Sequence, residues 1–331
     1  VGAERETARI LLTGGTGFFG RALLRNWMNE EQGGRPVPHV TVLTRDPQRF
    51  LDEFREFKGR GWLAFHAGDI LDPASLPREG PVTHVLHAAA DSRLGPRLPP
   101  LVVYRQIADG TRNMLDFAVR VGATRFLFVS SGAVYGRQPH DLAALPESWT
   151  GSPDPTDPRS AYGMAKRAGE HFCALYRDQY GLETIIARCF AFVGPDLALD
   201  VHFAIGNFIR DALWRDAIRI EGDGESVRSY LHQNDLAAWL CAILMAARPG
   251  TIYNVGSPHG VTIAELAQRV RDSLAPGKII QRTIPAGAAS PSSRYVPDVS
   301  SITKDLGVGV SIPLGDAITL TAGVLRAMRK P

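Results

Sequence analysis

The sequence predicts an α/β fold, a doubly wound parallel sheet accompanied by a smaller, discontinuous α/β lobe. Three observations predict it. Short apolar runs at 9–13, 39–43, 62–66, 83–87, 125–130 and 184–187 alternate with helical segments, the pattern of a parallel sheet covered on both faces. A glycine-rich turn follows the first run, and chemistry-bearing residues stand at the ends of several others. After Pro195 the pattern changes, with helices over 202–214, 234–247 and 262–274, a strand at 217–221, and a loop rich in Pro, Gly and Ser over 276–297.

The first run, Arg-Ile-Leu-Leu-Thr (9–13), reads as a buried strand. Thr-Gly-Gly-Thr-Gly-Phe-Phe-Gly (13–20) follows, and the leucines and alanine of Arg21–Trp27 continue it as a packed helix. Of Gly14, Gly17 and Gly20, one makes a tight turn, one lets the backbone approach a pyrophosphate, and one lets the helix pack closely on the strand. The first N–H groups of that helix, at Phe18 and Phe19, then face the phosphates. Glycine is common here (33 of 331 residues), so the triplet alone signals only a turn; the strand–turn–helix context makes it a dinucleotide site.

The second run, His39–Leu43, ends at Thr44-Arg45. An NAD site commonly carries Asp or Glu at this strand end to accept from the ribose 2′-hydroxyl. Thr44 cannot act as that carboxylate, and Arg45 beside it suits a 2′-phosphate, so NADP(H) is favoured and NAD(H) is possible. The alternative makes Arg45 an ordinary solvated residue and Asp46 the carboxylate.

Further along lie Val-Ser-Ser-Gly-Ala-Val-Tyr-Gly (129–136) and Ser-Ala-Tyr-Gly-Met-Ala-Lys (160–166). Tyr162 and Lys166 are four residues apart, hence on one face of a helix that Pro155 and Pro158 delimit. An ammonium beside a phenol favours the phenolate and tunes it for proton exchange with a substrate hydroxyl. Ser131, ending the apolar run 126–129, would hydrogen-bond the same oxygen. Such a pair on its own is more often a half-buried ring beside a solvated lysine. Its position after a nucleotide fingerprint and a strand-end serine makes it a catalytic trio.

These segments together resemble the extended short-chain dehydrogenase/reductase family, in its NAD-dependent epimerase/dehydratase group acting on nucleotide sugars. Gly14, Gly17 and Gly20 match its cofactor loop; Gly68-Asp69-Ile70 matches the segment that touches adenine, and His87-Ala88-Ala89-Ala90 the strand end lining the cofactor. Arg188-Cys189-Phe190-Ala191-Phe192-Val193-Gly194-Pro195 is similar to the crossover into the substrate domain. Gly222-Asp223-Gly224 with Arg228-Ser229-Tyr230-Leu231-His232, and Arg294 before Asp298-Val299-Ser300, resemble segments whose arginines hold a nucleotide diphosphate. The resemblance implies a Rossmann-type domain over 1–188 and 230–256 and a nucleotide-sugar domain over 189–229 and 257–331. It places Ser131, Gly132, Ala133, Asn207, Arg228 and Arg294 against the substrate; for Asn207 a helix-capping role is the alternative. It also implies a homodimer paired through the helices 101–121 and 162–180.

Departures from the family pattern narrow the expected activity. The family's 4,6-dehydratases and decarboxylases carry an acidic residue between the catalytic hydroxyl residue and the tyrosine of the Tyr-Gly pair. Dehydratases carry Asp-Glu where Gly132 and Ala133 stand, so that elimination lacks its acid and base and is disfavoured. Alanine replaces the family asparagine at 191, and Ile107 another near Gly110-Thr111. The expected function is an NADP(H)-dependent 4-ketoreductase of a nucleotide-linked 4-keto-6-deoxyhexose. The alternative is a nucleotide-sugar 4-epimerase that recycles its hydride, and a minor one is a non-catalytic nucleotide-binding regulator. The base, the sugar and the product stereochemistry depend on loops around 92–100, 200–208 and 276–297.

Composition excludes other classes. Net charge of +3, with Lys and Arg scattered, argues against nucleic acid as a partner. No apolar stretch is long enough to cross a membrane, and no signal-peptide core is present near Val1. Cys173, Cys189 and Cys241 are odd in number and lie in apolar surroundings, as buried thiols in a reducing cytoplasm do. They and the nine histidines form no metal motif, so no metal is expected.

Overall fold

The computed structural model describes residues 8–78, 80–90, 98–199, 203–285 and 293–328. Two compact units share the chain. The first runs to Val134 and takes in Pro153–Arg188 and Ala237–Tyr253; the second holds Tyr135–Ser152, Cys189–Leu236 and the chain from Asn254 onward.

In chain order the first unit contributes β1 (Arg9–Thr13), α1 (Phe18–Gln32), β2 (His39–Thr44), α2 (Pro47–Glu53), β3 (Leu63–Ala67), β4 (His84–His87), α3 (Pro100–Arg120), β5 (Arg125–Ser131), α4 (Ala161–Tyr180) and β6 (Glu183–Cys189). After β7 (Phe192–Val193), α5 (Ala204–Trp214), β8 (Ala217–Ile220), β9 (Val227–Arg228) and β10 (Leu231–His232) come α6 (Gln233–Ala246) and β11 (Ile252–Val255). The central sheet has seven strands in the order β11-β6-β5-β4-β1-β2-β3. β1 pairs in parallel with β2 on one side and β4 on the other, so the strand order reverses there and leaves a crevice beyond the ends of β1 and β4. Leu11, Leu12, Val85, Leu86, Phe126, Leu127 and Phe128 are fully buried, which is why these runs show no polar alternation.

Helix α4 is drawn onto β5 by two glycines and two buried charges. A side-chain carbon at Gly163 would lie 2.8 Å from the Ala133 carbonyl oxygen, and one at Gly169 2.6 Å from the Phe128 ring. Lys166 donates from Nζ to the Val129 carbonyl at 2.7 Å. One turn on, the Glu170 carboxylate accepts from Ser130 Oγ at 2.6 Å and takes a forked pair from Arg188 of β6, the shorter contact at 2.7 Å. Three elements are thereby tied through one buried carboxylate.

In the second unit, β12 (Val261–Thr262), α7 (Ile263–Leu274), β13 (Ile279–Arg282), β14 (Arg294–Tyr295), α8 (Ser300–Leu306) and α9 (Leu314–Met328) follow. Thr262 and Glu265 form a reciprocal capping box that starts α7. Ile205, Ile209, Ile218, Ile220, Leu266, Val270, Ile302 and Ile318 form its core. The expected loop over 276–297 is corrected here: it contains β13, parallel to β8, and β14, parallel to β9. The apolar doublet Ile279-Ile280 is too short to show a period, and only pairing with β8 makes it a strand. Residues 286–292, and 91–97 and 200–202 of the other two expected specificity loops, lie outside the described residues.

Replacing Glu170 by Ala would leave Arg188 buried beside Ser130 without its carboxylate, at a cost of about 3–5 kcal/mol. A double replacement by Leu at 170 and Met at 188 should recover most of that loss, as read from urea unfolding of the two variants.

Candidate active site

The turn after β1 has the geometry that a bound pyrophosphate needs. Gly14 has φ +71°, and a side-chain carbon there would lie 2.5 Å from the Ala88 carbonyl oxygen, so only glycine lets the loops after β1 and β4 meet. At Gly20 the same atom would fall 2.2 Å from Gly15 Cα, which seats α1 directly on the turn. Gly17 caps α1 with no side-chain hydrogen bond, and no acidic residue occupies the first turn. That helix end therefore offers backbone N–H groups and the positive end of its dipole, at Phe18 and Phe19, to an anion.

At the end of β2, the Thr44 carbonyl accepts from Gly68 N–H at 3.0 Å. Arg45 is exposed. Asp46 is engaged: its carboxylate caps α2 by accepting from Arg49 N–H at 2.9 Å. The adenine-side segment is also pinned. Asp69 N–H donates to Ser75 Oγ at 2.9 Å, the Asp69 carboxylate accepts from Leu71 N–H, and the Ile70 carbonyl accepts from Asn113 at 2.9 Å.

Ser131 ends β5, buried, and its Oγ accepts from Ala133 N–H at 3.2 Å, closing the short helical turn Gly132–Tyr135. Tyr162 stands exposed in the first turn of α4, with Lys166 buried one turn on, 4.9 Å above the Phe128 ring. Ser131 closes β5 and Lys166 is tied to Val129 two residues before it, while Tyr162 stands one turn before Lys166 on α4. Gly132 and Ala133, on the turn after Ser131, bring neither an acid nor a base.

In the second unit, Arg228 is held by its own neighbourhood. Its guanidinium donates to the carbonyls of Val227 and Ser293 at 2.8 and 2.9 Å and to Ser293 Oγ at 2.8 Å. Burial holds its pKa below the usual arginine value. Arg294 lies on the adjacent strand opposite Val227, one register step from Arg228, so strand alternation points the two arginines to opposite faces of this small sheet. The Asn207 side chain on α5 accepts from Arg210 at 3.2 Å. Among the described residues no group of three or more His, Cys, Asp or Glu is placed to hold a metal ion, and no helix is long and apolar enough to cross a membrane.

The model of the NAD dependent epimerase/dehydratase family matches residues 10–256. The chain belongs to that family. It is similar to UDP-glucuronic acid decarboxylase 6 of Arabidopsis thaliana, 30% identical over 322 residues that make up 96% of this chain and 88% of that one. Among solved structures it is similar to DesIV, a dTDP-glucose 4,6-dehydratase from Streptomyces venezuelae with NAD bound: the TM-score is 0.82 at 27% identity, covering 97% and 98% of the two chains. A UDP-galactose 4-epimerase gives a TM-score of 0.75 at 25% identity, covering 97% and 100%. The glycine cradle and the uncapped start of α1 fit the NAD of the family's name.

The His87 side chain, at the strand end expected to line the cofactor, is fully occupied within the protein. It is 1% exposed. Thr111 donates to the Ile107 carbonyl at 2.6 Å, so it accepts from His87 Nε2–H at 3.2 Å. Thr13 Oγ accepts from Ala89 N–H at 3.2 Å and donates to His87 Nδ1 at 2.7 Å. The relay permits one tautomer, the neutral Nε2–H form, and ties the loop at Ala89 to β1 and α3. Sequence reasoning placed His87 beside the cofactor and missed this relay, as it missed Glu170 and Gly163; a threonine in each of two segments far apart in the chain gives no local pattern.

Desolvation, and secondly the Lys166 ammonium, push the His87 pKa from the usual 6.5 down to about 3. The folded state therefore binds fewer protons than the unfolded chain below pH 6.5. Its contribution is complete above that pH and is lost as pH falls towards the folded value, at about 1.4 kcal/mol per pH unit. Urea unfolding of His87→Asn between pH 6 and 4 should show a slope shallower by that amount, whatever the variant's stability at pH 7.

Proposed function

We propose that this enzyme transfers hydride between a nicotinamide and a hydroxyl- or keto-bearing carbon, C4, of a nucleotide-linked sugar, and that no elimination of water ensues. The observation that carries this reading is the tie of Lys166 to Val129, two residues before Ser131, on the helix that also carries Tyr162, beside a turn that begins with Gly132 and Ala133. A bound nicotinamide supplies or accepts the hydride. The Tyr162 phenol gives a proton to the sugar oxygen in the reducing direction and takes it in the other. Ser131 Oγ–H donates to the same oxygen as its charge changes. Lys166, held by Val129, keeps its ammonium one turn from Tyr162 and would face the ribose of the nicotinamide. Dehydration would also need a base at C5 and an acid for the departing 6-hydroxyl, which Gly132 and Ala133 cannot be.

Within this chemistry the leading reading is an NADPH-dependent 4-ketoreductase, supported by exposed Arg45 beside Thr44 and by the commitment of Asp46 to capping α2. Nucleotide-sugar 4-epimerisation, which consumes no net cofactor, uses the same three residues in both directions and is supported by the likeness to a UDP-galactose 4-epimerase. A second outcome is supported by the decarboxylase relative. A uronic acid oxidised at C4 is a β-keto acid: as carbon dioxide leaves, the C4 oxygen takes the electron pair, and the resulting enolate then takes a proton at C5. Exposed Leu101 and Tyr104 on α3, with Leu175 and Tyr180 on α4, support pairing of two copies.

The deciding measurement tracks NADPH absorbance with dTDP-4-keto-6-deoxyglucose and its UDP- and CDP-linked analogues, alongside UDP-glucose and UDP-glucuronic acid. Stoichiometric loss of NADPH is expected. An inverted sugar without cofactor loss would identify an epimerase, and release of carbon dioxide from UDP-glucuronic acid would overturn the ketoreductase reading. Tyr162→Phe should lower turnover by about 10²–10⁴-fold and leave cofactor binding intact; normal turnover would remove Tyr162 from the proton-transfer role. Arg45→Ala should weaken NADPH binding by roughly tenfold or more and leave NADH binding unchanged.

A further inference from the structure

Helix α9 is apolar on both sides. Ala317, Ile318, Ala322 and Leu325 are buried where the helix packs on α5 and α7. On the opposite side Leu320, Val324 and Met328 stand 50%, 39% and 60% exposed, at steps of four that form one ridge. Thr319, Gly323 and Ala327, all exposed, form the ridge beside it. Thr319 Oγ1 donates to the Gly315 carbonyl at 3.1 Å, so its hydroxyl is satisfied inside the helix. Among the described residues of α9, charge stands only near the two ends, with Asp316 in the first turn and Arg326 in the last.

The glycine within this helix has no reason inside the chain. Glycine weakens a helix relative to alanine, yet a side-chain carbon at Gly323 would meet no atom within 4 Å. Gly163 and Gly169 of α4, by contrast, are each forced by a close neighbour within the protein. Beside exposed Leu320 and Val324, Gly323 leaves a hollow on the helix surface that an apolar side chain of another molecule would fill.

The outer side complements itself in shape and in charge. Leu320 and Gly323 are equally far from the helix midpoint between Thr321 and Ala322, as are Val324 and Thr319, and Asp316 and Ala327. A copy of the helix laid antiparallel about that midpoint sets Leu320 level with the partner's Gly323 and Val324 level with the partner's Thr319. Asp316 then comes level with the partner's Ala327, within reach of the partner's Arg326, and the two helix dipoles oppose. Each match occurs twice by symmetry, as an isologous contact requires. A foreign partner would have to supply the knob, the hollow and both charges; a second copy of this chain carries them already.

We propose that α9 is an isologous interface between two copies of this chain, paired antiparallel about the Thr321–Ala322 midpoint. The helix belongs to the second unit, so the contact is additional to pairing through α3 and α4 of the first. One helix pair is at the small end of specific interfaces, and the association is therefore concentration-dependent.

The test follows the full chain by sedimentation over a wide range of protein concentration. Gly323→Gln should keep or raise the melting temperature of the dilute protein and weaken the association by about tenfold or more. Asp316→Arg and Arg326→Asp, each alone, should weaken it by about threefold or more, and the two combined should restore it. That restoration separates self-pairing from a foreign partner, which the double variant would repel at both ends. Leu320→Cys should cross-link to its own copy with a short bismaleimide, the unaltered protein serving as control, because the two positions lie less than one helical turn apart in the pair. A monomer at every concentration, an association unchanged in Gly323→Gln, a double charge variant weaker than either single one, or a dimer that gives no cross-link at 320 would each overturn the proposal.

Discussion

At two positions between α4 and β5 there is no room for a side chain. Gly163 lies over the Ala133 carbonyl and Gly169 over the Phe128 ring, each at a distance that a Cβ would violate. The proposed catalytic arrangement depends on that closeness, because Tyr162 precedes the first glycine and Lys166 lies between the two. A helix lifted to admit two methyl groups would carry Lys166 away from Val129, and Tyr162 with it. The buried carboxylate of Glu170 sets the same spacing electrostatically, since Ser130 and Arg188 approach it from two different strands. Steric and polar requirements thus fix one position for the helix.

Burying charge next to this contact constrains what else may stand there. Lys166 is nearly inaccessible, and its ammonium donates to the Val129 carbonyl and lies over the face of Phe128. Phe128 is also stacked on His87, with ring centroids 5.8 Å apart and planes inclined by 18°. A second cation on that ring would oppose the first. The threonine relay prevents this by holding His87 in a neutral tautomer with both nitrogens satisfied, so the lysine keeps its charge unopposed. The residue contributes by remaining neutral, which is a different task from touching a cofactor.

How much of this was legible in the sequence depends on where each signal resides. The glycine turn was legible because backbone conformation and close approach leave a mark at fixed local spacing. Tyr162 and Lys166 were legible because helical periodicity puts residues four apart on one face. Strands β1 to β6 announced themselves as apolar runs because both faces of the sheet are covered. β13 did not, since its pairing with β8 joins segments about sixty residues apart and most of its residues face solvent. The Ser130–Glu170–Arg188 triangle was equally hidden: each residue is ordinary in its own segment and meaningful only after three elements meet. The two arginines expected to share a diphosphate were found on neighbouring strands, yet register, which no local pattern encodes, sets them one step apart.

On the proposed reading, the chemistry of the site turns on the fate of the 4-keto sugar more than on the oxidation that makes it. The proposed trio would supply a proton donor, an oxygen ligand and a fixed cation, and these suffice for interconverting alcohol and ketone. Every later fate of a 4-keto sugar adds a requirement. Elimination adds a base for the C5 proton and an acid for the leaving hydroxyl. Epimerisation adds room for the ring to present its other face. Decarboxylation adds a carboxylate on the substrate and a proton for C5, which the enolate takes up once the ketone oxygen has accepted the electrons left by the departing carbon dioxide. On the proposed reading, small residues at 132 and 133 leave elimination without the acid and base that those positions would supply. Reduction of the keto sugar, or its turning over before reduction, then asks nothing of either position.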